Sequence, residues 1–175
     1  CADFCYNGRM ERIESYAPVA DGNCRTLIVG TAPSVESLRA GFFYGHPRNA
    51  FWRILAEVFG GEIPGTIGDK KALLLNNRIA LWDVCRSCLR EGSLDGNIRS
   101  VEPNDFAGLF EQYPGIRRVL FNGGAAEALF FRLCKGALGG RPTVRLPSTS
   151  PAYTIPYAEK LARWRKELTN GDQTL

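Results

Sequence analysis

The hydrophobic residues of this chain fall into two kinds of pattern, short unbroken apolar runs and longer segments with helical spacing. The runs are rich in β-branched and aromatic side chains, which is typical of buried strands. They cover residues 26–30, 79–82, 118–121 and 143–146. Helical patterns lie between them, and strands that alternate with helices form parallel sheets with helices on both faces. The pattern therefore predicts an α/β fold, a three-layer αβα sandwich around a central, mostly parallel four-stranded sheet.

The helical segments place their apolar residues on one face. In residues 51–59 these residues recur at i, i+3, i+4, i+7 and i+8, and the stripe stops at Gly60 and Gly61. Residues 125–134 and 157–168 are spaced in a similar way, so three helices are predicted. The last of them is expected to present a basic surface to solvent, formed by Lys160, Arg163, Arg165 and Lys166.

The chain is predicted to consist of a short N-terminal extension and one larger domain. Residues 1–24 are mostly polar and include the turn signal Asp21-Gly22, which indicates an irregular N-terminal extension. Residues 25–170 have the size of a single domain. No apolar run reaches the roughly 20 residues of a membrane span, and no secretory leader is recognisable. We therefore expect a cytoplasmic, monomeric protein that does not enter membranes.

The net charge and the cysteine content exclude few kinds of binding partner or metal. The 175 residues carry a net charge of +4 at pH 7, so an anionic partner must be bound by a local cluster of basic residues. Cys85 and Cys88 form a Cys-x-x-Cys pair, and Cys1 and Cys5 form a looser one. Together they could hold zinc or an iron–sulfur cluster. Scattered reduced thiols are favoured because no second close pair exists, and no metal or cofactor is predicted.

The segments that directly follow the strands are candidates for chemistry, because ligands of α/β proteins bind at the carboxyl ends of strands. After the first strand, residues 30–34 (Gly-Thr-Ala-Pro-Ser) allow the backbone to approach a ligand closely. The alternative is a plain turn in which Ser34 caps a helix. After the third strand, Asn122 is expected at the same edge. The Gly-Gly that follows it lacks the spacing and the lysine of a nucleoside triphosphate site.

A second segment, residues 44–52, places the only histidine, an arginine, an asparagine and aromatic residues at a predicted helix start. Each has an ordinary structural explanation, with Asn49 as the helix N-cap and the aromatic residues as core. A carboxamide does not titrate near neutrality, so Asn49 cannot act as a strong base. Its oxygen can nevertheless accept a hydrogen bond from a water molecule. Asn49 is therefore a candidate for positioning a nucleophilic water.

The last candidate segment, residues 146–153, follows the fourth strand and is rich in proline and hydroxyl residues. Its hydroxyl groups and free backbone N–H groups are suited to binding phosphates. An exposed Pro/Ser turn without a ligand is the alternative. The sequence of this loop alone does not separate the two interpretations.

In this order the segments resemble the motifs of the uracil-DNA glycosylase superfamily. Residues 30–34 resemble its Gly-x-x-Pro-Gly/Ser motif, and residues 146–148 (Leu-Pro-Ser) resemble its second motif, usually His/Asn-Pro-Ser. Residues 46–52 are similar to the His-Pro-x-Asn-x-Phe-Trp stretch of the mismatch-specific uracil/thymine glycosylases. Each motif is short, and it is their combination that is specific.

Two further segments, residues 81–84 (Leu-Trp-Asp-Val) and 92–95 (Gly-Ser-Leu-Asp), narrow the resemblance to the hypoxanthine-DNA glycosylases, over about residues 25–168. Mismatch-specific relatives carry their catalytic asparagine inside the first motif, where this chain has Ala32. A methyl group cannot position water. In the hypoxanthine-specific branch the role passes to the asparagine of the later segment, which maps onto Asn49.

The resemblance implies a monofunctional DNA-repair glycosylase of the prokaryotic nucleoid. It would flip a deaminated base out of DNA, hydrolyse the N-glycosidic bond and leave an abasic site, with hypoxanthine preferred and uracil as an alternative. Its catalytic residue would be Asn49. The implied base pocket consists of Gly30, Thr31, Ala32, Pro33, Phe43, Tyr44 and Asn122. The residues implied for phosphate contacts and for filling the gap left by the base are Ser34, His46, Arg48, Ser148, Thr149, Ser150, Pro151, Ala152 and Tyr153.

Several roles stay open at this level. Phe43 or Tyr44 is expected to stack on the base, with core packing as the alternative, and His46 could contact phosphate or be structural. Asp83 is interpreted as a helix-capping or supporting carboxylate. No lysine of the motifs occupies a Schiff-base position, so strand cleavage by β-elimination is not expected.

Two other function classes share some of these features. A nucleoside- or nucleotide-binding α/β domain that acts on small molecules would also use loops at the strand ends. A non-catalytic DNA-binding module would also use a basic helix. Comparing the affinity for duplex DNA with that for free nucleosides distinguishes the first class from a DNA glycosylase. An assay for abasic sites distinguishes the second class from a DNA glycosylase.

Overall fold

The computed structural model describes residues 10–170 and consists of strands and helices that alternate along much of the chain. The strands are β1 (Glu11–Glu14), β2 (Thr26–Gly30), β3 (Ile79–Asp83), β4 (Cys85–Arg90), β5 (Arg99–Pro103), β6 (Arg118–Asn122) and β7 (Thr143–Leu146). The helices are α1 (Val35–Ala40), α2 (Phe51–Phe59), α3 (Ile67–Asn76), α4 (Phe106–Gln112), α5 (Gly124–Leu133) and α6 (Tyr157–Thr169). Within the described range, none of the helices combines the length and apolar character that crossing a membrane requires.

The predicted four-stranded sheet is present and is parallel throughout. Its strand order is β3-β2-β6-β7. All residues of β2 and β3 are buried, which explains why these strands read as unbroken apolar runs. Helix α2 contacts α3 and α6, while α5 contacts β2, β6 and β7, so helices flank the sheet. The α/β prediction is confirmed.

The helices that were not predicted begin with a side-chain cap. The hydroxyl of Ser34 accepts the N–H of Ser37 at the start of α1, and Asp105 accepts the N–H of Gly108 at the start of α4. Thr66 opens α3 with a capping box. These helices are short or lack a strong apolar stripe, so their start signals are local polar contacts. The three helices predicted from periodicity agree with the structure to within one residue at either end.

A second sheet, of three antiparallel strands in the order β1-β4-β5, was not predicted. The chain passes from β3 into β4 through Val84, whose N–H donates to the carbonyl of Gly30. The second sheet therefore lies next to the end of β2. Its strands carry few apolar residues, and only Ile13 of β1 and the cysteines of β4 form a small core there. Strands with so little alternation have no clear signature in the sequence.

The N-terminal segment also differs from the irregular extension that was predicted. Strand β1 pairs with β4, and Val19 forms an antiparallel bridge with Leu81 of the main sheet. The ring of Tyr16 packs on Phe43 with centroids 5.1 Å apart. The folded unit therefore begins well before residue 25. Its polar composition concealed these contacts, because only a few buried side chains make them.

Two smaller expectations need comment. Lys160 was expected on the exposed side of α6, but it is only 5% exposed and its stem is buried under the loop after β7. The cysteines that the structure describes are buried free thiols, namely Cys24, Cys85, Cys88 and Cys134. No group of three metal-ligating side chains occurs within residues 10–170. Cys1 and Cys5 lie outside the described residues, so the pairing considered for them has no structural counterpart to compare.

Candidate active site

The carboxyl ends of the parallel strands bring the candidate segments to one edge of the sheet. Gly30 at the end of β2 lies opposite Asp83 at the end of β3. Asn122 at the end of β6 lies opposite Leu146 of β7. The loops that follow these strands surround a cavity of about 90 Å³. This is well below the roughly 300–1,000 Å³ of typical ligand pockets and suits one flat base better than a whole nucleotide.

Most of the predicted site residues line this cavity. They are Gly30, Thr31, Ala32, Pro33, Ser34, Phe43, Tyr44, Asn49, Asn122, Ser148, Thr149 and Ser150. Four further residues that were not among the predicted site residues also line it, namely Ser37, Asp83, Ser93 and Asp95. The base-pocket residues and Asn49 thus share one cavity.

An open groove of about 550 Å³ adjoins the cavity, and Tyr44 and Asn49 line both spaces. The remaining predicted residues that line the groove are His46, Arg48, Pro151 and Tyr153. Ala152 is exposed beside them at the tip of the last loop. Basic residues that were not predicted as groove residues are Arg53, Lys70 and Lys160. Asn49 therefore lies at the boundary between a narrow cavity and a positively charged groove.

The side chain of Asn49 is held in a defined orientation. Its backbone N–H donates to the carbonyl of His46 at 2.9 Å, and its Oδ1 accepts the N–H of Phe51 at 3.0 Å. The N-cap of α2 is Ala50 and no side chain caps this helix, so the N-cap role considered for Asn49 is replaced by this contact with the first helical residue. A carbonyl oxygen has two acceptor positions. One of them remains for a water molecule, so the contact with Phe51 and water positioning are compatible.

Tyr44 reaches the cavity from a strained backbone. Its φ of 54° lies in the left-handed region, which costs a residue with a side chain about 1–3 kcal/mol. Its ring packs on Phe51 with centroids 4.1 Å apart. Its buried hydroxyl has no hydrogen-bond partner in the described part of the chain. Burial, and secondly the charge of Asp83, raises the pKa of this phenol, and the nearby side chain of Asn122 lowers it, so the hydroxyl stays a donor at neutral pH.

Phe43 packs in the core, which is the alternative considered for it. It lines the cavity, yet it is only 2% exposed and packs edge-on against Phe42 at 5.3 Å between ring centroids. Its carbonyl accepts the indole N–H of Trp52. Most of the Phe43 ring therefore belongs to the core.

Asp83 is the most buried acidic side chain at the site, with 3% exposed. Ser15 donates a hydrogen bond to its Oδ2 at 3.0 Å. Burial raises the pKa of the Asp83 carboxyl to about 7, the Ser15 hydrogen bond opposes this, and the charge of Asp95 adds to it. The sequence signal was a charged residue directly after a buried strand, at the edge where ligands bind.

Asp95 and Ser93 belong to a loop that covers the first motif. The hydroxyl of Thr31 donates to Asp95 at 2.7 Å, and the N–H of Val35 donates to the hydroxyl of Ser93 at 3.0 Å. Burial raises the pKa of Asp95, while the hydrogen bond from Thr31 lowers it. These contacts fix the loop of residues 30–34 from outside the main sheet.

The loop after β7 is anchored through three of its backbone carbonyls. The carbonyl of Pro147 accepts the indole N–H of Trp164 at 2.9 Å, and the carbonyl of Ser150 accepts from Lys160 at 3.0 Å. The carbonyl of Thr149 accepts the N–H of Ala50 at 3.0 Å, which joins the loop to the segment of Asn49. This hydrogen bond therefore connects the two candidate loops directly.

Thr149 was expected to contact phosphate, but it is only 1% exposed. The amide of Asn122 donates to its hydroxyl and accepts its backbone N–H, both at 2.9 Å. The structure thus gives Thr149 a supporting contact in place of an exposed one, because the side chain faces into the sheet edge. Asn122 keeps its place on the cavity wall, with its amide oriented by Thr149.

The other hydroxyl groups of the site also make local contacts. Ser34 caps α1, so the capping role considered for it is present. Ser148 accepts the N–H of Ser150 at 3.2 Å, and Ser150 accepts the N–H of Ala152 at 3.2 Å. Each hydroxyl keeps its own proton as a donor, since the backbone contacts use only an acceptor position. Ser148 and Ser150 can therefore still donate to a phosphate.

Comparison with known proteins supplies an independent view of the same residues. A family model described as the uracil DNA glycosylase superfamily matches residues 17–172. A hypoxanthine DNA glycosylase of Methanosarcina acetivorans is 41% identical over 138 residues, which cover 78% of this chain and 85% of the relative. A hypoxanthine DNA glycosylase of Methanosarcina barkeri is 38% identical over 111 residues, which cover 63% of this chain and 70% of the relative.

A solved structure extends the similarity to three dimensions. The solution NMR structure of a protein from Methanosarcina acetivorans, described as a candidate uracil DNA glycosylase, superposes with a TM-score of 0.79 at 35% identity. The match covers 93% of this chain and all of the other. The similarity therefore includes the strand ends and loops that surround the cavity.

Proposed function

Because this chain belongs to the uracil DNA glycosylase superfamily and is a DNA glycosylase, we propose that its substrate is deoxyinosine in DNA. The enzyme would release hypoxanthine by hydrolysis of the N-glycosidic bond and leave an abasic site. The names of the two relatives, both hypoxanthine DNA glycosylases, support this choice of base. So does a cavity on the scale of a single base.

One observation carries the mechanism, namely that Asn49 lies where the narrow cavity meets the wider groove. A base that is flipped into the cavity would leave its sugar at this boundary, because the rest of the strand must stay in the groove. The Asn49 oxygen, already oriented by the N–H of Phe51, would accept a hydrogen bond from a water beside the sugar. A positioned water suffices where the sugar develops positive charge and becomes a strong electrophile.

The reaction balances without a cofactor. The bond between the sugar C1′ and the base nitrogen breaks, and both electrons of the bond leave with the base. The oxygen of the water forms the new bond to C1′, and one proton of the water is released. The departing base takes up one proton. Fixed hydrogen-bond donors around the base would stabilise its negative charge in the transition state.

The groove offers the contacts that hold the DNA strand. Arg48 and Arg53 line it, as does the ring of Tyr153, which is 43% exposed at the tip of the last loop. An exposed ring on an anchored loop is suited to fill the gap left by a flipped base. The ammonium group of Lys160 is bound to the carbonyl of Ser150, which leaves it poorly placed to attack the sugar. This supports hydrolysis without β-elimination.

Replacement of Asn49 tests the proposal. We expect Asn49→Ala to slow hypoxanthine release by about a thousandfold in single-turnover assays, since general positioning groups contribute about 10²–10⁴-fold. Binding to a deoxyinosine duplex should change by less than about threefold. The loss of the hydrogen bond from the N–H of Phe51 should cost only about 1 kcal/mol of stability, to be measured by urea denaturation. Asn97→Ala, at an exposed position outside the cavity, is the control.

Release at the wild-type rate by Asn49→Ala would reject the assignment. A panel of duplexes with deoxyinosine or deoxyuridine, together with free nucleosides, decides between hypoxanthine, uracil and small-molecule substrates. Intact abasic strands as the product would exclude β-elimination. The monomeric state and the location at the prokaryotic nucleoid remain predictions, to be checked by sedimentation and by imaging of the labelled protein.

A further inference from the structure

The inner end of the cavity contains two oxygens for which the mechanism above has no use. A Cβ atom placed on Gly30 would lie 2.5 Å from Oδ1 of Asp83 and 2.8 Å from the hydroxyl of Tyr44. Both oxygens therefore lie over the bare Cα of Gly30, in the space that any side chain would fill. Gly30 and Asp83 line only the narrow cavity, whereas Asn49 lines both the cavity and the groove.

Neither group is explained by the fold alone. The Tyr44 hydroxyl is buried and unpartnered within residues 10–170, and a strained backbone holds it there. The only side-chain hydrogen bond described for the Asp83 carboxyl is that from Ser15 to Oδ2, which leaves Oδ1 directed at Gly30. Buried polar groups in native proteins normally have partners, so the unpartnered hydroxyl of Tyr44, beside a carboxyl oxygen on the wall of the same cavity, indicates a ligand.

We propose that the Asp83 carboxyl group, in its neutral form, and the Tyr44 hydroxyl are the hydrogen-bond donors that recognise the base. Their target is the edge of a 6-oxopurine that carries the carbonyl oxygen and N7, two neighbouring acceptors. The inference rests on the proposed function, because it assumes a base in the cavity with its sugar at Asn49. It adds the residues that select the base and stabilise it as it leaves.

The protonation state of Asp83 gives this arrangement a pH dependence. Burial raises the pKa of the carboxyl to about 7, so the donor is present below neutrality and is lost as the pH rises through that value. An ionised Asp83 would offer only lone pairs to the acceptor edge and would repel the departing anion. The rate should therefore fall by up to about tenfold per pH unit above 7.

Other charged and titratable groups surround Asp83 and could contribute to a pH dependence of the rate. The guanidinium of Arg90 lowers the pKa of Asp83 and the charge of Asp95 raises it. The charge of Asp83 also contributes to the raised pKa values of Tyr16 and Tyr44. On the side of β4 are Cys85 and Cys88, and the pKa of Cys88 is lowered to about 7 by a hydrogen bond with Cys85. Only a variant of Asp83 itself can assign the pH dependence to its carboxyl.

The first experiment uses Asp83→Asn, which keeps a donor and the shape of the side chain but cannot ionise. Hypoxanthine release is followed under single-turnover conditions from pH 5.5 to 9. We expect the decline above neutrality to disappear in Asp83→Asn, although the rate at low pH falls as well. Asp83→Ala, without a donor, should be slower than the wild type by about a hundredfold at pH 6. An unchanged decline in Asp83→Asn overturns the proposed role of the carboxyl.

The second experiment tests whether the hydroxyl of Tyr44 donates a hydrogen bond to the 6-oxygen of the base. Wild type and Tyr44→Phe are each assayed on deoxyinosine and on the analogue that lacks the 6-oxygen. We expect Tyr44→Phe to lose about ten- to a hundredfold on deoxyinosine and much less on the analogue, because the atom that it contacts is then absent. Tyr113→Phe, remote from the cavity, should behave like the wild type on both substrates.

Equal losses by Tyr44→Phe on the two substrates would mean that its hydroxyl is structural and would overturn the proposal. If the wild type releases no hypoxanthine, the proposed function fails first. If the wild type is active and neither variant shows the expected dependence on pH or substrate, only the recognition by Asp83 and Tyr44 fails. The two failures are therefore distinguishable.

Discussion

At the scale of single residues, the site depends on a glycine for space and not for backbone freedom. The glycines in left-handed conformations lie elsewhere in the described chain, for example Gly60 at the end of α2. Gly30 is required because Asp83 and Tyr44 occupy the position of its missing side chain. The first motif begins with glycine so that oxygens from two other segments can meet over its Cα.

The substitution Gly30→Ala adds only one methyl group, but we expect it to lower both the stability of the protein and the rate of base release. A methyl group 2.5 Å from a carboxyl oxygen must displace it, at a cost of about 1–3 kcal/mol of stability. Because small displacements of catalytic geometry are costly, we expect base release to fall by about a hundredfold. Urea denaturation and single-turnover kinetics measure the two effects. Gly61→Ala, where nothing lies within 4 Å, is the matched control; wild-type kinetics in Gly30→Ala would contradict the packing argument.

At the scale of elements, the last loop owes its rigidity to α6. Trp164 and Lys160 donate to the carbonyls of Pro147 and Ser150, and neither donor is exposed. A helix predicted to present a basic surface to solvent thus uses one of its lysines as an internal anchor. The hydroxyls of Ser148 and Ser150 are held in place by this support.

Lys160→Met separates anchoring from charge. The variant keeps the buried stem but frees the carbonyl of Ser150, so we expect DNA affinity to fall by about tenfold through loop disorder. The slope of log affinity against log salt should stay constant, whereas loss of a phosphate contact would reduce it by about one. Lys166→Met makes the same charge change at an exposed position of α6 and should preserve affinity within about threefold. A reduced slope in Lys160→Met would assign the lysine to a phosphate.

At the scale of the whole molecule, the antiparallel sheet supports the active site of the parallel one. Arg90, at the end of β4, is 2% exposed and donates to the carbonyl of Pro33 in the first motif and to that of Gly92. Strand β4 begins two residues after Asp83, the last residue of β3. The same chain segment therefore places both Asp83 and the guanidinium of Arg90 next to the first motif. The small sheet therefore acts as a brace for the first motif.

Arg90→Met should destabilise the protein by about 3 kcal/mol in urea denaturation, because it leaves two buried carbonyls without their charged donor. Base release by the folded variant should also slow, since residues 30–34 lose a support. Arg86→Met in the same strand is the control. That side chain is 69% exposed and paired with Glu102, so its loss should cost less than about 1 kcal/mol. Equal effects of the two substitutions would refute the bracing role.

Local patterns determined much of this protein. The strands of the main sheet and helix α2 follow from apolar runs and periodicity, because burial on two faces or on one face leaves a regular trace in the sequence. The order of the motifs then indicated that Gly30, Asn49 and Asn122 would share one edge, since parallel strands end on the same side. The fold class needed no further information, whereas the strand order β3-β2-β6-β7 came from the structure.

Only the tertiary structure decided which polar groups meet. Asp83 became part of the cavity through the pairing of β2 with β3, and Lys160 became an anchor because the last loop folds over its stem. Pairing of the polar strands β1 and β5 with β4 likewise left no periodic signal. Such contacts join residues distant in sequence, and their energy depends on burial and geometry that no local window of the chain contains.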